Sequence, residues 1–246
     1  MTGTYRLAGL NIQITTLYDY VHRLCAPYRV ADAAPDFCVE TNEADARFES
    51  ERTAREDEYV QIPSRHFSPQ YLESLSVYRK IAEQLPHYDA FLMHGSCLAV
   101  DGKSYLFTAK SGTGKSTHAR LYREVMGDRV VMVNDDKPLI RFVDGVPHAF
   151  GSPWDGKHRL SSNIAVPLQA ICILERGEQN RIERIGEAEA YAKLVQQIYR
   201  PLDGAAMAKT LALIDRVCST ASLWRLECNM DPDAARVSYE AMKPKE

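Results

Sequence analysis

Apolar positions along the chain occur in short runs with two different spacings, which together predict a mixture of strands and helices. Near the start, residues 4–14 favour a strand around a glycine, and residues 15–26 favour a short helix. Residues 68–85 have a serine cap, an early proline and helical apolar spacing, which predict a helix. The charged segment 43–58 has few apolar anchors and is interpreted as a solvated helix or loop. We therefore expect a smaller α+β lobe over residues 1–88 that does not form an independent domain.

The pattern changes after residue 88, where apolar runs are separated by turn signals. Residues 90–100 and 104–109 flank an Asp-Gly-Lys turn and predict a hairpin, and 138–150 predicts another around Asp-Gly. These runs and the helices between them predict an α/β core with a mixed sheet over residues 89–246. The other predicted elements are strands at 129–136, 165–177 and 222–229, and helices at 115–127, 187–199, 204–219 and 231–243.

The segment FTAKSGTGKSTH at 107–118 joins a predicted strand to a predicted helix and is typical of a phosphate-binding loop. Backbone N–H groups at such a turn and helix start point at anionic oxygens. The strict pattern G-x-x-x-x-G-K-[ST] has glycine where Ala109 stands, and alanine is tolerated there if its φ is negative. The residues predicted to hold phosphates are Ser111, Gly112, Thr113, Gly114, Lys115, Ser116 and Thr117.

Two acidic residues follow the apolar strand VVMVNDD, in which Asp135 lies 20 residues after Lys115. Magnesium prefers carboxylate oxygens, often through water. One carboxylate can position the metal while its neighbour accepts a hydroxyl proton. We expect Ser116, Asp135 and Asp136 to bind metal and Asp135 to be the base, although the two acids are interchangeable at this point.

The segment GSPWDGKH at 151–158 contains two glycines, a proline and a tryptophan, which predict a shaped loop. Lys157 is a candidate phosphate ligand, together with His158 and Arg159, because phosphoryl transfer needs cationic partners. Trp154 is a candidate to stack on the adenine or the acceptor. A surface turn with an anchoring tryptophan is the alternative.

Composition narrows the class of protein. The net charge of −3 over 246 residues gives no basic field that would favour nucleic acid or an anionic membrane. No run approaches the roughly 20 apolar residues of a membrane helix, and the N-terminus lacks the blocks of a signal peptide. Six scattered cysteines without a C-x-x-C pair favour reduced thiols in a cytoplasmic protein, with Cys97, Cys172 and Cys228 in the core.

Residues of roughly 90–140 resemble the nucleotide core that HPr kinase/phosphorylase shares with ATP-dependent PEP carboxykinase. Both families have an S-G-x-G-K-[ST] loop, a histidine upstream and an Asp-Asp pair downstream. The spacing agrees, since His94 precedes Lys115 by 21 residues. The matching positions are His94, Lys115, Ser116, Asp135 and Asp136.

The resemblance implies an HPr kinase-like P-loop core and phosphoryl transfer from ATP with Mg²⁺ or Mn²⁺. It also implies that His94 lies beside the transferred phosphate, as a second metal ligand or a partner of the base, with Lys115 and Asp135 completing the catalytic set. The chain is too short for the oxaloacetate-binding half of a carboxykinase. Thr117 stands where HPr kinases usually have an acidic residue, and their C-terminal signature is absent. The likeness is closer to small HPr-kinase-like proteins of bacterial gene clusters.

The sequence thus predicts an ATP- and Mg²⁺-dependent kinase whose acceptor is a hydroxyl of a protein, a peptide or a small molecule. One alternative is a nucleotide-binding regulator that hydrolyses ATP slowly and has no acceptor pocket. Another alternative is a nucleoside or nucleotide kinase. Such kinases usually carry an arginine-rich lid, and no such cluster follows the loop in this sequence. The expected partners are ATP or ADP and the acceptor. The sequence leaves open whether the chain forms a homo-oligomer.

Overall fold

A computed structural model describes residues 1–244, which divide into two compact units with the boundary between Gln84 and Leu85. The sequence placed the boundary at residue 88, at the end of the 3-10 turn Leu85–Tyr88 that begins the second unit. No helix within residues 1–244 is long and apolar enough to cross a membrane. The six cysteines form no disulfide among the described residues; Cys97 and Cys172 are buried, and Cys228 is half-buried.

The first unit is a three-stranded sheet with three helices. The predicted strand at 4–14 is a hairpin, because Ala8 and Gly9 have positive φ values of 50° and 73° and turn the chain. The predicted helix at 15–26 is much shorter, since the preceding residues extend the second strand and a turn. In chain order the elements are β1 (Thr2–Leu7), β2 (Leu10–Thr15), α1 (Tyr20–Leu24), β3 (Phe37–Glu40), α2 (Glu43–Tyr59) and α3 (Pro69–Gln84). Strands β1 and β2 are antiparallel, and β2 and β3 are parallel.

The charged segment that forms α2 packs against α3 through ion pairs and through a contact of the Arg79 guanidinium with the Phe48 ring. Glu49 is only 3% exposed, and its Oε1 accepts a hydrogen bond from Arg79 Nε at 2.6 Å. Asn42 caps the helix by accepting from Ala44 N at 2.9 Å, and Asp45 reciprocates at Asn42 N. A segment with few apolar residues is therefore an ordered helix, because its buried carboxylate has a cationic partner.

The second unit is a nine-stranded mixed sheet over the described residues, covered by helices on both faces. Both predicted hairpins are confirmed, but the first begins at Ser96, and Ala90–Leu92 form a separate strand that pairs with Leu139–Arg141. Arg181–Arg184 form an additional strand that was not predicted. The predicted helix at 187–199 ends at Leu194, because the chain then forms backbone hydrogen bonds from His94 N to Gln197 O and from Tyr199 N to Leu92 O. The strands are β4 (Ala90–Leu92), β5 (Ser96–Val100), β6 (Lys103–Thr108), β7 (Val130–Asn134), β8 (Leu139–Val143), β9 (Val146–Phe150), β10 (Ala165–Arg176), β11 (Arg181–Arg184) and β12 (Ser222–Cys228). The helices are α4 (Lys115–Met126), α5 (Glu187–Leu194), α6 (Gly204–Thr220) and α7 (Asp233–Met242).

The sheet order β4-β8-β9-β10-β6-β5-β7 combines parallel and antiparallel neighbours, as the sequence predicts for a mixed sheet. Strand β6 is parallel to β10 and antiparallel to β5, which is in turn antiparallel to β7. The carboxyl ends of β6, β7 and β10 therefore lie at one edge of the sheet, together with the start of β5. Ligands of α/β proteins bind outside the carboxyl ends of strands, so we expect a site at this edge.

Two buried clusters hold the helices on the sheet. Phe107, Tyr122 and Tyr239 belong to the cluster that joins α4 and α7 to one face. Leu194 and Ile214 belong to the cluster that joins α5 and α6 to the other face. Strand β6 contributes alternate residues to both clusters, so the segment that follows it begins from a strand fixed on both sides.

Candidate functional site

The segment between β6 and α4, residues 109–114, is called the glycine-rich loop below. Gly112 and Gly114 have φ values of 78° and 127°, a region that side chains rarely adopt. A Cβ at either position would meet no atom within 4 Å, so the backbone conformation, and not space, requires glycine there. Ala109 is 6% exposed and is not among the residues with positive φ. The missing first glycine of the strict pattern is thus compatible with this loop.

Lys115, the first residue of α4, directs its side chain back into the glycine-rich loop. Its Nζ donates to the backbone carbonyls of Ala109 at 3.0 Å and Lys110 at 3.4 Å, and the residue is only 8% exposed. Burial lowers the pKa of Lys115, while the charges of Asp136 and Asp135 act in the opposite direction. The ammonium group therefore lies near both acids, at the N-terminus of α4.

Asn134, the last residue of β7, fixes the turn that contains the two acids. The residue is fully buried, and its Nδ2 donates to Ser152 Oγ at 3.1 Å and to Trp154 O at 3.3 Å. Its Oδ1 accepts the N–H groups of Asp136 at 2.9 Å and Lys137 at 2.6 Å. One amide side chain thus connects the acidic turn to the loop at 151–158.

Asp135 and Asp136 have different surroundings. Asp135 is 5% exposed, and its Oδ1 accepts from Ser96 Oγ at 2.7 Å. Its Oδ2 faces Gly156, where a Cβ would lie 3.1 Å away. Asp136 is half-buried, and its Oδ2 lies 3.3 Å from Lys137 Nζ. One carboxylate is therefore held by a hydroxyl in a confined space, and the other is more open to solvent.

His94 lies between β4 and β5 and completes the group of ionisable residues. Its Nε2 is 3.6 Å from Asp136 Oδ1, and its Nδ1 is 3.3 Å from Gln197 Oε1. Burial, followed by the charge of Lys115, lowers the pKa of His94, and Asp136 opposes this shift only in part. His94 is therefore neutral at pH 7 despite its acidic neighbour. Thr108 Oγ1 donates to the His94 carbonyl at 2.8 Å, which connects this segment to the end of β6.

The loop at 151–158 has a buried first half and an exposed second half. Trp154 is 8% exposed, so most of its ring surface is packed inside the protein. Gly151 is required sterically, because a Cβ there would lie 1.9 Å from Ser162 O. Lys157 and His158 are exposed. Gly156, which precedes them, lies close to the Asp135 carboxylate, and His158 lines a cavity together with Asp135.

Two cavities lie at this edge, one against the glycine-rich loop and one at the start of α4. Each has a size typical of small-molecule sites. The first, of about 420 Å³, lies on the side of β10 and α5 and is lined by Thr108, Ala109, Lys110, Thr113, Ile173, Leu174, Glu175, Arg176, Lys193, Gln196 and Gln197. The second, of about 400 Å³, lies on the side of α4 and β7 and is lined by Ser116, Thr117, Ala119, Arg120, Arg123, Met132, Asp135, His158 and Leu160.

Four polar residues at this edge were missed by the sequence analysis. Ser96 and Asn134 hold the acidic turn, Gln197 contacts His94, and Arg176 contacts the glycine-rich loop. Arg176 could have been found as a cation at the end of a buried strand, because a neighbouring strand end was already assigned to phosphate binding. The other three follow only from the pairing of distant segments.

The arrangement fits a metal ion that is shared with a ligand. Within residues 1–244, no group of three or more His, Cys, Asp or Glu side chains is arranged to hold a metal. Magnesium in nucleotide sites is typically bound by one or two carboxylates, with phosphate oxygens and water as the other ligands. Asp135 and Asp136, together with the Ser116 hydroxyl, would supply that smaller set of protein ligands.

Comparisons with known proteins place the chain in a family without specifying a reaction. The model of the family described as SynChlorMet cassette protein ScmC matches residues 67–216. None of the curated proteins matches the sequence. The solved Hpr(Ser) kinase/phosphatase from Coxiella burnetii is 14% identical, over 51% of this chain and 96% of that chain, with a TM-score of 0.27.

Proposed function

This chain belongs to the family of SynChlorMet cassette protein ScmC, and we propose that it is a kinase. In this proposal the chain transfers the γ-phosphate of ATP to a hydroxyl group. The observation that carries the proposal is the convergence of Lys115, His94, Asp135 and Asp136 at one sheet edge. They come from three separate segments of the sequence, and the hydrogen bonds described above hold them together. The distant resemblance of the motif to HPr kinases agrees with this proposal.

The glycine-rich loop would bind the phosphates. Its turn and the first turn of α4 present backbone N–H groups, and the positive end of the helix dipole favours anionic charge. Lys115 now donates to two loop carbonyls, so phosphate oxygens would replace Ala109 O and Lys110 O as its acceptors. The exchange keeps the ammonium group hydrogen-bonded in both states, which avoids an unpaired buried charge.

Ser116, Asp135 and Asp136 would hold Mg²⁺, or Mn²⁺, against the phosphates. The metal supplies charge neutralisation of the β- and γ-phosphate oxygens when it is bound. The neutral imidazole of His94 has its Nε2 directed toward Asp136, so it can serve as a further ligand or hydrogen-bond partner there. Lys157 adds a positive charge on the exposed side of the same edge.

Asp135 is the candidate general base. Its carboxylate is confined between Ser96 and Gly156, so its orientation is fixed before an acceptor binds. An acceptor hydroxyl within hydrogen-bond distance would pass its proton to the carboxylate as its oxygen attacks phosphorus. Positioning of this kind, together with electrostatic stabilisation, accounts for most of the acceleration in phosphoryl transfer.

The 420 Å³ cavity on the side of β10 is the candidate site for the nucleoside. Ile173 and Leu174 contribute an apolar wall, which suits a base ring. Gln196 lines the same cavity with an amide that can both donate and accept hydrogen bonds. Glu175 and Lys193 form an ion pair of 2.5 Å at its margin, within reach of ribose hydroxyls.

The test is transfer of the γ-phosphate from labelled ATP to a panel of amino acids, sugars, hydroxy acids and peptides. We expect labelled product with the wild-type protein, and a loss of about 100-fold or more in Lys115→Ala and in Asp135→Asn. Lys103→Ala, at the opposite end of β6, is the matched control and should retain the wild-type rate. Release of label only as free phosphate, at a rate unchanged in Asp135→Asn, would favour the slow ATPase and overturn the kinase proposal.

A further inference from the structure

The cavity on the side of α4 contains the candidate base and is separate from the proposed nucleoside cavity. Asp135 is one of its lining residues, as are Ser116 and Thr117 at the start of α4. An acceptor must place its hydroxyl against the base that removes its proton. The volume of about 400 Å³ is therefore in the right place for the acceptor.

The wall of this cavity extends along one face of α4. Ser116, Arg120 and Arg123 are spaced by four and three residues, so they lie on the same side of the helix. The rise of about 1.5 Å per residue puts Arg123 roughly 10 Å from Ser116 along the axis. Arginine side chains are long enough to cover much of that distance toward the base.

Two arginines, Arg120 and Arg123, and one carboxylate, Asp135, line the cavity in a protein whose net charge is −3. Arg120 pairs with Glu124, but Arg123 forms no ion pair within residues 1–244. His158 also lines the cavity, and the exposed Lys157 precedes it in the chain. An unpaired guanidinium in a concave site binds carboxylate or phosphate groups in a bidentate manner, and it is charged at every pH of interest.

We propose that this cavity binds the phosphoryl acceptor, and that the acceptor is a small hydroxyl compound with a carboxylate or phosphate group. Its hydroxyl lies at Asp135, and its anionic group lies at Arg123, supported by Arg120 and His158. The assignment rests on the proposed kinase function and specifies its substrate class.

The reaction in this arrangement is balanced without any further reactant. The acceptor oxygen forms a bond to the γ-phosphorus, and the bond between that phosphorus and the β,γ-bridging oxygen breaks. The hydroxyl proton passes to the Asp135 carboxylate, and the electron pair of the broken bond leaves with ADP. Arg123 lies away from the reacting atoms, so it acts by binding the acceptor and is a specificity residue.

The experiment measures acceptor binding with the phosphate site already filled. Protein saturated with Mg²⁺ and the non-hydrolysable analogue AMP-PNP is titrated with 3-phosphoglycerate, D-glycerate and glycerol by calorimetry. These probes share a hydroxylated three-carbon skeleton and differ in anionic groups. We expect 3-phosphoglycerate and D-glycerate to bind at least tenfold more tightly than glycerol.

Variants identify the residue responsible. Arg123→Gln should weaken binding of 3-phosphoglycerate at least tenfold, and Arg236→Gln, an exposed arginine on α7, should leave it unchanged. Failure of the wild-type protein to bind AMP-PNP would remove the proposed kinase function and the acceptor assignment with it. Normal AMP-PNP binding with no preference for the anionic probes, or with a preference that Arg123→Gln retains, would overturn the acceptor assignment alone.

Discussion

Arg176, at the end of β10, donates from its Nη2 to the backbone carbonyl of Gly112 at 2.5 Å. Its Nε is 3.4 Å from the carbonyl of Thr113, so the guanidinium contacts two consecutive carbonyls of the glycine-rich loop. These contacts hold the two carbonyls on the side of β10. The N–H of the Gly112–Thr113 peptide donates to Lys110 O at 3.3 Å within the loop, so this peptide is hydrogen-bonded through both its N–H and its carbonyl. Arg176 also lines the proposed nucleoside cavity, so this contact connects that cavity to the glycine-rich loop.

Removal of the Arg176 guanidinium should weaken nucleotide binding without unfolding the protein. In Arg176→Gln, the dissociation constant of AMP-PNP should rise about tenfold, because a hydrogen bond from a charged donor makes a net contribution of about 1.5–3 kcal/mol. Calorimetry with Mg²⁺ present measures the change. Arg181→Gln, an exposed arginine on β11, is the control, and an equal loss in both variants would contradict a specific role for Arg176.

A methyl group at position 156 should disturb the candidate base. In Gly156→Ala the new Cβ would lie 3.1 Å from Asp135 Oδ2, so the carboxylate has to move by a few tenths of an ångström. We expect γ-phosphate transfer to fall about tenfold while AMP-PNP binding is retained, since small misplacements of reacting groups are costly. Gly186→Ala is the control, because a Cβ there meets nothing within 4 Å. A wild-type transfer rate in Gly156→Ala would show that the Asp135 carboxylate can move freely.

His118 should make the stability of the second unit depend on pH. Burial lowers the pKa of His118 to about 4, and its Nδ1 has no hydrogen-bond partner among the described residues. A histidine whose pKa is lower in the folded state than in the unfolded state stabilises the fold above its usual pKa of about 6.5. This stability is lost as the pH falls toward 4, because the unfolded state then binds the proton more readily than the folded state. Between pH 7.5 and pH 5 this amounts to about 2 kcal/mol of unfolding free energy.

Urea unfolding followed by tryptophan fluorescence measures this effect, because Trp154 and Trp224, the two tryptophans of the chain, both lie in the second unit. His118→Phe preserves a ring against Phe107 and Tyr122 and cannot be protonated. The variant should lose most of the difference between pH 7.5 and pH 5. An unchanged difference would assign the pH dependence to other groups.

Glu73 should order the start of α1 in the first unit. The residue is 1% exposed and accepts hydrogen bonds from Leu17 N at 2.7 Å, Tyr18 N at 3.0 Å and Thr41 Oγ1 at 2.8 Å. Glu73→Gln places an amide donor where an acceptor is needed, which should cost about 1–3 kcal/mol. Hydrogen exchange at the Leu17 and Tyr18 amides should accelerate by at least tenfold. Glu58→Gln, on the exposed face of α2, should leave that exchange unchanged.

The sequence predicts the elements of the second unit well because their signals are local. The hairpins have Asp-Gly turns, and Asp101 and Asp144 adopt the positive φ values that such turns need. The ends of α4 are signalled by glycines on both sides. The strand after Arg176 was missed because β11 is stabilised mainly by pairing with β12, a contact between distant segments.

Only part of the candidate site can be predicted from the sequence, because only some of its residues belong to local motifs. Lys115 and Asp135 belong to recognisable motifs whose chemistry follows from residue type and spacing. Asn134 and Arg176 act through contacts with loops that are distant in sequence, which no local pattern describes. The expected burial of Cys228 is only partial, since this residue lies at the end of β12, where the strand leaves the core.

Strand β10 spans 12 residues and belongs to two parts of the sheet at once. Its first residues pair with β9, and its later residues lie between β6 and β12. A shift of one residue anywhere along β10 would turn every later side chain to the opposite face and carry Arg176 away from Gly112. An insertion or deletion in this strand would therefore damage the hairpin, the core and the glycine-rich loop together. Substitutions along β10 can change the lining of the cavity that contains Ile173 and Leu174, whereas the number of residues in the strand has to satisfy the hairpin, the core and the loop at once.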